Sequence, residues 1–327
     1  MTRFTYADGI RQAIAEEMER DPAVFLIGED VGESGGVFGV TKGLWDRFGA
    51  AQLWDTPISE EAIVGAAVGA ALVGGRPIAE IMFGDFSTLA MDMIVNQAAK
   101  THYMTGGRVS CPMVVRMVTG TAGSTAAQHS QSLEAWFTHV PGLKVVAPST
   151  PTDAKGLLKQ AIRDPDPVIF FEHKQLYGGR GGPAGEVVEV EAIPFGQGVI
   201  RREGTDVTVV SWLRTMDHVL TAAETLAEEG ISCEVFDPRT LVPFDWEGLG
   251  ESLTRTGRLV IAHEAPLRGG FGAEIAAWAA QECFGLLKGP IRRIGARNTP
   301  IPYAPVLEAE VIPTPERIAT EIRIAVG

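Results

Sequence analysis

Cysteine is scarce in this chain of 327 residues, with only Cys111, Cys233 and Cys283, far apart and without CxxC spacing. That excludes a disulfide framework and a thiolate metal site, and it fits a reducing, cytoplasmic setting. Long apolar runs are also missing. The longest, 62–75, is too short and too rich in small residues to cross a bilayer and reads as a helix buried inside protein. Charges at Arg3, Asp8, Arg11, Glu16, Glu17 and Glu19 leave no secretory apolar segment at the start. Basic residues are outnumbered, 28 Lys and Arg against 41 Asp and Glu, for a formal charge of -13. Nucleic acid and anionic membranes are thereby excluded as partners, whereas a basic protein is compatible. The familiar chemical motifs are absent too: no GxxxxGK[ST], no HExxH, no EF-hand and no GxSxG elbow occurs. The glycines of 32–39 lack GxGxxG spacing and read as a loop.

What is present is a rhythm. A hydrophobic content of 45% over this length is enough for two cores, and β-rich apolar runs alternate with helical patterns, which predicts α/β architecture with parallel sheets covered on both faces. Strands are expected at 24–27, 52–54, 77–82, 113–118, 144–147 and 168–171, and helices at 5–20, 60–73, 87–104, 130–139 and 152–163. Ser59 is expected to cap the helix that Glu60 opens, and Pro151-Thr152-Asp153 precedes another. The rhythm stops near Gly178 in a glycine-rich stretch. It resumes with strands at 206–212, 233–236, 259–262 and 291–294 and helices at 215–229, 244–254, 272–284 and 315–326. The expectation is two doubly wound domains, 1–180 and 205–327, joined by a linker at 181–204.

Two turns carry residues suited to proton transfer. Asp55-Thr56-Pro57-Ile58-Ser59-Glu60 sets a carboxylate, and Ala127-Gln128-His129-Ser130-Gln131-Ser132 a histidine, each on a turn that opens a helix. Either alone is ordinary structural chemistry. Together with Gly28-Glu29-Asp30-Val31, Asp85-Phe86, Asn96-Gln97-Ala98-Ala99-Lys100, Pro141-Gly142-Leu143-Lys144-Val145-Val146 and Phe170-Phe171-Glu172, they make the chain resemble one family over essentially its whole length. It is the beta chain of the thiamine-diphosphate-dependent first component of 2-oxo acid dehydrogenase complexes, of pyruvate, branched-chain or acetoin type.

The resemblance implies a pyrimidine-binding domain followed by a transketolase-type C-terminal domain, in an alpha2-beta2 heterotetramer with cofactor sites at alpha-beta interfaces. It assigns Glu60 to the pyrimidine ring nitrogen of thiamine diphosphate, where a carboxyl group promotes activation of the cofactor. Phe86 packs against the aminopyrimidine, while Ile58 and Met82 line the cofactor. His129 faces the reacting carbon and assists acyl transfer to a lipoyl-bearing acyltransferase core. His139, one helix later, reads as structural. Magnesium is expected on the alpha chain, because Gly84-Asp85-Phe86 does not supply the Gly-Asp-Gly pattern. A family potassium site of loop oxygens maps onto Met113, Ala161, Ile162, Asp164 and Asp166. Departures at Gln52-Leu53-Trp54 and across 119–126 bear on substrate, and 39–44 with 170–174 lean towards pyruvate or acetoin types. Two other readings compete: a split transketolase acting on sugar phosphates, which calls for an Arg and His phosphate cluster, and a catalytically silent assembly subunit.

Overall fold

The computed structural model describes residues 4–121, 123–178 and 189–327. The expected boundary at 180 and the first part of the linker, 181–188, lie outside them. The chain forms two compact units. One comprises Met1–Thr119 with Trp136–Phe195, and the other Gly120–Ala135 with Gly196–Gly327. Residues 120–135 therefore pack with the later part of the chain although they precede residue 180.

Up to residue 178 the chain gives α1 (Tyr6–Arg20), β1 (Val24–Gly28), α2 (Leu44–Gln52), β2 (Leu53–Asp55), α3 (Glu60–Leu72), β3 (Arg76–Ile81), α4 (Ala99–Met104), β4 (Val114–Thr119), α5 (Glu134–Thr138), β5 (Lys144–Val146), α6 (Pro151–Arg163) and β6 (Val168–His173). The strands of the first unit lie in the order β5-β6-β4-β3-β1-β2, every pair parallel. β1, β4 and β6 are buried at every position, which is why they read as unbroken apolar runs rather than alternations. Helix starts follow local chemistry. Thr5 and Asp8 form a reciprocal capping box for α1, and Thr150 caps α6 with Pro151 in its first turn.

Several expectations are corrected. Ser59 stands at the cap of α3, but its hydroxyl makes no capping bond, and its φ of -165° and ψ of 82° lie outside the extended basin that capping requires. The single helix expected at 87–104 is instead a 3-10 turn (Gly84–Ala90), a π turn (Met93–Ala98) and then α4. Asn96 and Gln97 both donate to the Asp92 carboxylate, bridging the widened turn. The helix expected at 130–139 shrinks to α5, because the Ser130 hydroxyl bonds Thr125 at 2.8 Å instead of facing solvent from a helix. Unforeseen α2 is broken by Gly49, at φ 56° and ψ -162°, so no regular period marks it.

One ionic cluster crosses the first unit's core. Arg116 on β4 donates from Nε and Nη2 to both oxygens of Glu172 on β6, at 2.6 and 2.9 Å, and from Nη1 to Glu80 on β3 at 2.6 Å. The Tyr177 hydroxyl donates to Glu172 at 2.6 Å. Burial opposes the guanidinium charge, but Glu172 and Glu80 outweigh it and raise its pKa further. Arg116→Met strands two buried carboxylates and is expected to cost about 3–5 kcal/mol, read as a lower midpoint in urea unfolding with an unchanged slope.

The second unit contains β7 (Val199–Arg202), β8 (Val207–Val210), α7 (Thr215–Glu228), β9 (Cys233–Asp237), β10 (Thr240–Val242), α8 (Trp246–Thr256), β11 (Leu259–Pro266), α9 (Gly272–Glu282), β12 (Arg292–Ala296), α10 (Pro305–Val311) and α11 (Pro315–Val326). Its sheet runs β12-β11-β8-β9-β7, parallel except for β7, which pairs antiparallel with β9. β7 falls inside the stretch expected to be linker. Half-buried along its length at the sheet edge, it has no core-facing alternation to mark it. From β8 the chain goes first to one neighbour, β9, and later to the other, β11, so the winding reverses between β8 and β11. No helix of the described residues is long and apolar enough to cross a membrane.

His263, fully buried on β11, stacks on Trp212 at 5.3 Å between centroids, and its Nδ1 bonds the Ala265 carbonyl at 3.1 Å. A side chain at Gly272 would come within 2.7 Å of its Nε2, so only glycine fits there. Burial holds this imidazole neutral and lowers its pKa to about 4, with Arg293 adding to the shift. An unfolded histidine takes up its proton near pH 6.5, so between 6.5 and 4 the unfolded state binds more protons. Stability should fall by roughly 3 kcal/mol as pH drops through that window. Denaturant unfolding at pH 7 and 4.5 checks this: the acid loss should be smaller in His263→Gln.

Candidate active site

The carboxyl ends of β1, β2 and β3 are neighbours in the first sheet, and the motif residues follow directly from them. β1 ends at Gly28 and leads into Glu29, β2 leads through Thr56 to Glu60, and β3 leads into Met82 and Phe86. Loops at this edge of a parallel sheet are where α/β folds bind ligands. Two bonds stitch the turn after β2 to the end of β1: Thr56 N donates to Gly28 O at 3.0 Å, and Gly32 N to the Asp55 carboxylate at 2.7 Å. A side chain at Gly32 would lie 2.5 Å from that carboxylate, so the loop glycine is required by close approach.

Glu60 opens α3 with only 4% of its surface exposed. Among the described residues it has no hydrogen-bond or ion-pair partner, an unusual condition for a buried carboxyl group. Partial burial and the nearby carboxylates Glu60, Asp30 and Glu80 push the pKa of Glu29 upward. Ile58 is 81% exposed, and Thr56 Oγ1 and Ser87 Oγ are buried without a partner. Phe86 is half-buried and meets Phe83 edge-on at 5.6 Å; Phe83 in turn meets Phe38 at 5.7 Å and carries the Lys174 ammonium 5.5 Å from its ring centre. Ile58, Glu60, Met82 and Phe86 thus share one edge of the first sheet. Unpartnered polar atoms and exposed apolar surface therefore occur on the same loops.

His129 belongs to the second unit. Its loop is fastened at Thr121, whose backbone N–H donates to the Glu264 carboxylate at 2.5 Å, and at Glu134, which accepts from Trp212 Nε1 at 3.0 Å. Inside the loop Gly120 N donates to Gln131 O, and the Thr125 hydroxyl donates to the His129 carbonyl at 3.2 Å. Ser124 and Ala126 hold φ of 61° and 59°, a left-handed backbone that costs a non-glycine residue roughly 1–3 kcal/mol. His139 is exposed. Glu29, Glu264 and Trp212 were not given roles from sequence. Glu29 sits in a quoted motif, whereas nothing in the chain's patterning points from Glu264 to a loop more than a hundred residues away.

Three comparisons bear on identity. Residues 2–180 match the transketolase pyrimidine-binding domain, and residues 196–318 the transketolase C-terminal domain. The chain is 51% identical over 325 residues to the beta subunit of acetoin:2,6-dichlorophenolindophenol oxidoreductase of Cupriavidus necator, covering 96% of this chain and 95% of that one. It is 44% identical to the beta subunit of 2-oxoisovalerate dehydrogenase of Bacillus subtilis (99% and 98% covered) and 44% identical to the pyruvate dehydrogenase E1 component subunit beta of Rickettsia conorii (98% and 98%). The chain belongs to this family of dehydrogenase beta subunits. A solved structure described as a split-gene transketolase, an inactive beta4 tetramer, shares the fold at a TM-score of 0.79 and 22% identity, covering 99% of each chain.

The residues that the family's potassium site maps onto lie at the ends of three elements of the first unit. The carbonyls of Ala161, Ile162 and Asp164 lie at the end of α6, Met113 lies before β4, and Asp166 lies in the turn before β6. Hard oxygen donors suit such an ion. Positive charge already reaches them: Arg76 donates to the Ile162 carbonyl at 2.9 Å, and the Lys144 ammonium contacts Asp164 at 2.5 Å and Asp166 at 3.0 Å. Among the described residues no group of three or more His, Cys, Asp or Glu side chains is placed to hold a metal ion.

Proposed function

We propose that this chain is the beta subunit of a thiamine-diphosphate-dependent dehydrogenase that cleaves a carbon–carbon bond of acetoin or a 2-oxo acid and passes the acyl unit to lipoamide, working with an alpha subunit in an alpha2-beta2 heterotetramer. The observation that carries it is Glu60, a buried carboxyl group without a partner at the carboxyl edge of a pyrimidine-binding domain. Acetoin is favoured over pyruvate and branched-chain substrates: identity is 51% and 47% to acetoin-enzyme beta subunits of Cupriavidus necator and Bacillus subtilis, against 44% to the 2-oxoisovalerate and pyruvate dehydrogenase subunits named above.

The residues at that edge fit the cofactor's pyrimidine end. When bound, thiamine diphosphate supplies the carbon nucleophile and electron sink for the cleavage. Glu60 holds and exchanges a proton at the pyrimidine ring nitrogen. Phe86, Met82 and Ile58 provide apolar surface and keep water away. The diphosphate and its magnesium are assigned to the alpha subunit. His129 orients the acyl-bearing group and donates a proton as it leaves for the lipoyl arm. The potassium site, if filled, stiffens the turn between α6 and β6 from within this chain.

Coexpressed with its alpha subunit, the complex should bleach 2,6-dichlorophenolindophenol faster with acetoin than with pyruvate or 2-oxoisovalerate; equal rates with all three would remove the substrate preference. In that complex Glu60→Gln should lower both dye-linked and lipoamide-coupled rates by about 10²–10⁴ without lowering the melting temperature. His129→Ala should lose far more of the lipoamide-coupled rate than of the dye-linked one. Equal losses together with reduced thermal stability would give His129 a structural role only.

A further inference from the structure

We infer that the second unit serves as a clamp on the His129 loop, with Glu264 and Trp212 as positioning residues. This rests on the reading of His129 given above. The winding of the second sheet reverses between β8 and β11, and such a reversal leaves a crevice at the carboxyl ends of the two strands, the usual place for a ligand. Here residues that follow β8 and close β11 hold a piece of the same chain. Trp212, just after β8, donates its indole N–H to Glu134, and Glu264, near the end of β11, accepts from the backbone N–H of Thr121. One fastening lies at each end of the loop, and both are buried.

Three further features make those fastenings decisive. The loop holds Ser124 and Ala126 in a left-handed backbone, a shape that a free loop of these residues would leave. Its Ser130–Leu133 flank borders a cavity of about 350 Å³ shared with Pro266, Asn298 and Ile301, so side-chain packing does not fill that side. Its internal bonds, Thr125 to the His129 carbonyl and to Ser130, fix the histidine relative to the loop, and the bonds from Thr121 to Glu264 and from Trp212 to Glu134 fix the loop relative to the sheet.

The test uses the reconstituted heterotetramer with Glu264→Ala, Glu264→Gln and Trp212→Phe. The glutamine retains an oxygen that can accept from Thr121, and the phenylalanine retains a ring against His263 but has no N–H. Hydrogen exchange across 120–135 should rise in Glu264→Ala and Trp212→Phe and stay near wild type in Glu264→Gln. The lipoamide-coupled rate should fall by about tenfold or more in Glu264→Ala, with the glutamine within about threefold of wild type, because small misplacements of a reacting group are costly. In a His129→Ala background Glu264→Ala should add little, since both changes remove the same contribution. Unchanged exchange in Glu264→Ala, or losses that multiply fully with those of His129→Ala, would overturn the clamp. If His129→Ala instead depresses both assays alike, the acyl-transfer role of His129 falls, while exchange and non-additivity still decide the clamp.

Discussion

The arrangement of the first unit depends on satisfying one buried guanidinium. Arg116 lies on the central strand β4 and reaches carboxylates on both flanking strands, Glu80 on β3 and Glu172 on β6. An arginine in a sheet interior is tolerable only when its planar fork is filled, and two carboxylates on neighbouring parallel strands do that. The geometry ties strand register to electrostatics. Sliding β3 by one residue would turn Glu80 to the opposite face of the sheet and leave the charge uncompensated. Because Met82 and Phe86 follow β3 within a few residues, the register that satisfies Arg116 also fixes where these side chains, proposed above to line the cofactor, emerge.

The same network bears on the carboxyl of Glu29, which also feels Glu60. Glu80 is itself pushed upward in pKa by burial, partly offset by Arg116, and together with Glu60 it helps to keep the Glu29 carboxyl less acidic. Among these carboxyls Glu80 has Arg116 as its partner, whereas Glu60 has no hydrogen-bond or ion-pair partner among the described residues.

Much of this was legible in the sequence. Fully buried parallel strands such as β1 and β6 announce themselves as apolar runs, and Pro151 announces the start of α6. The resemblance in 55–60 and 127–131 pointed to Glu60 and His129 and, through them, to the family. What failed did so where local chemistry overrides period. Gly49 breaks α2, side-chain bonds to Asp92 accompany a π turn, and hydroxyl contacts of Ser130 keep 130–133 out of a helix. Edge strand β7 buries no continuous face, so nothing in its residues separates it from linker.

The membership of 120–135 illustrates a deeper limit. These residues stand between β4 and β5 in the chain, yet they pack with the second unit through a backbone N–H on Glu264 and a carboxylate on Trp212. Neither contact leaves a pattern in sequence, because a backbone donor has no residue identity and a single buried glutamate on β11 reads as an isolated irregularity. Physically, however, a left-handed, partly unpacked loop needs such fixed points, and the rim where the winding of a parallel sheet reverses is a rigid place to provide them. A sheet edge that in other α/β domains receives a separate molecule here receives the protein's own loop, so the second domain contributes to the proposed chemistry by holding the histidine.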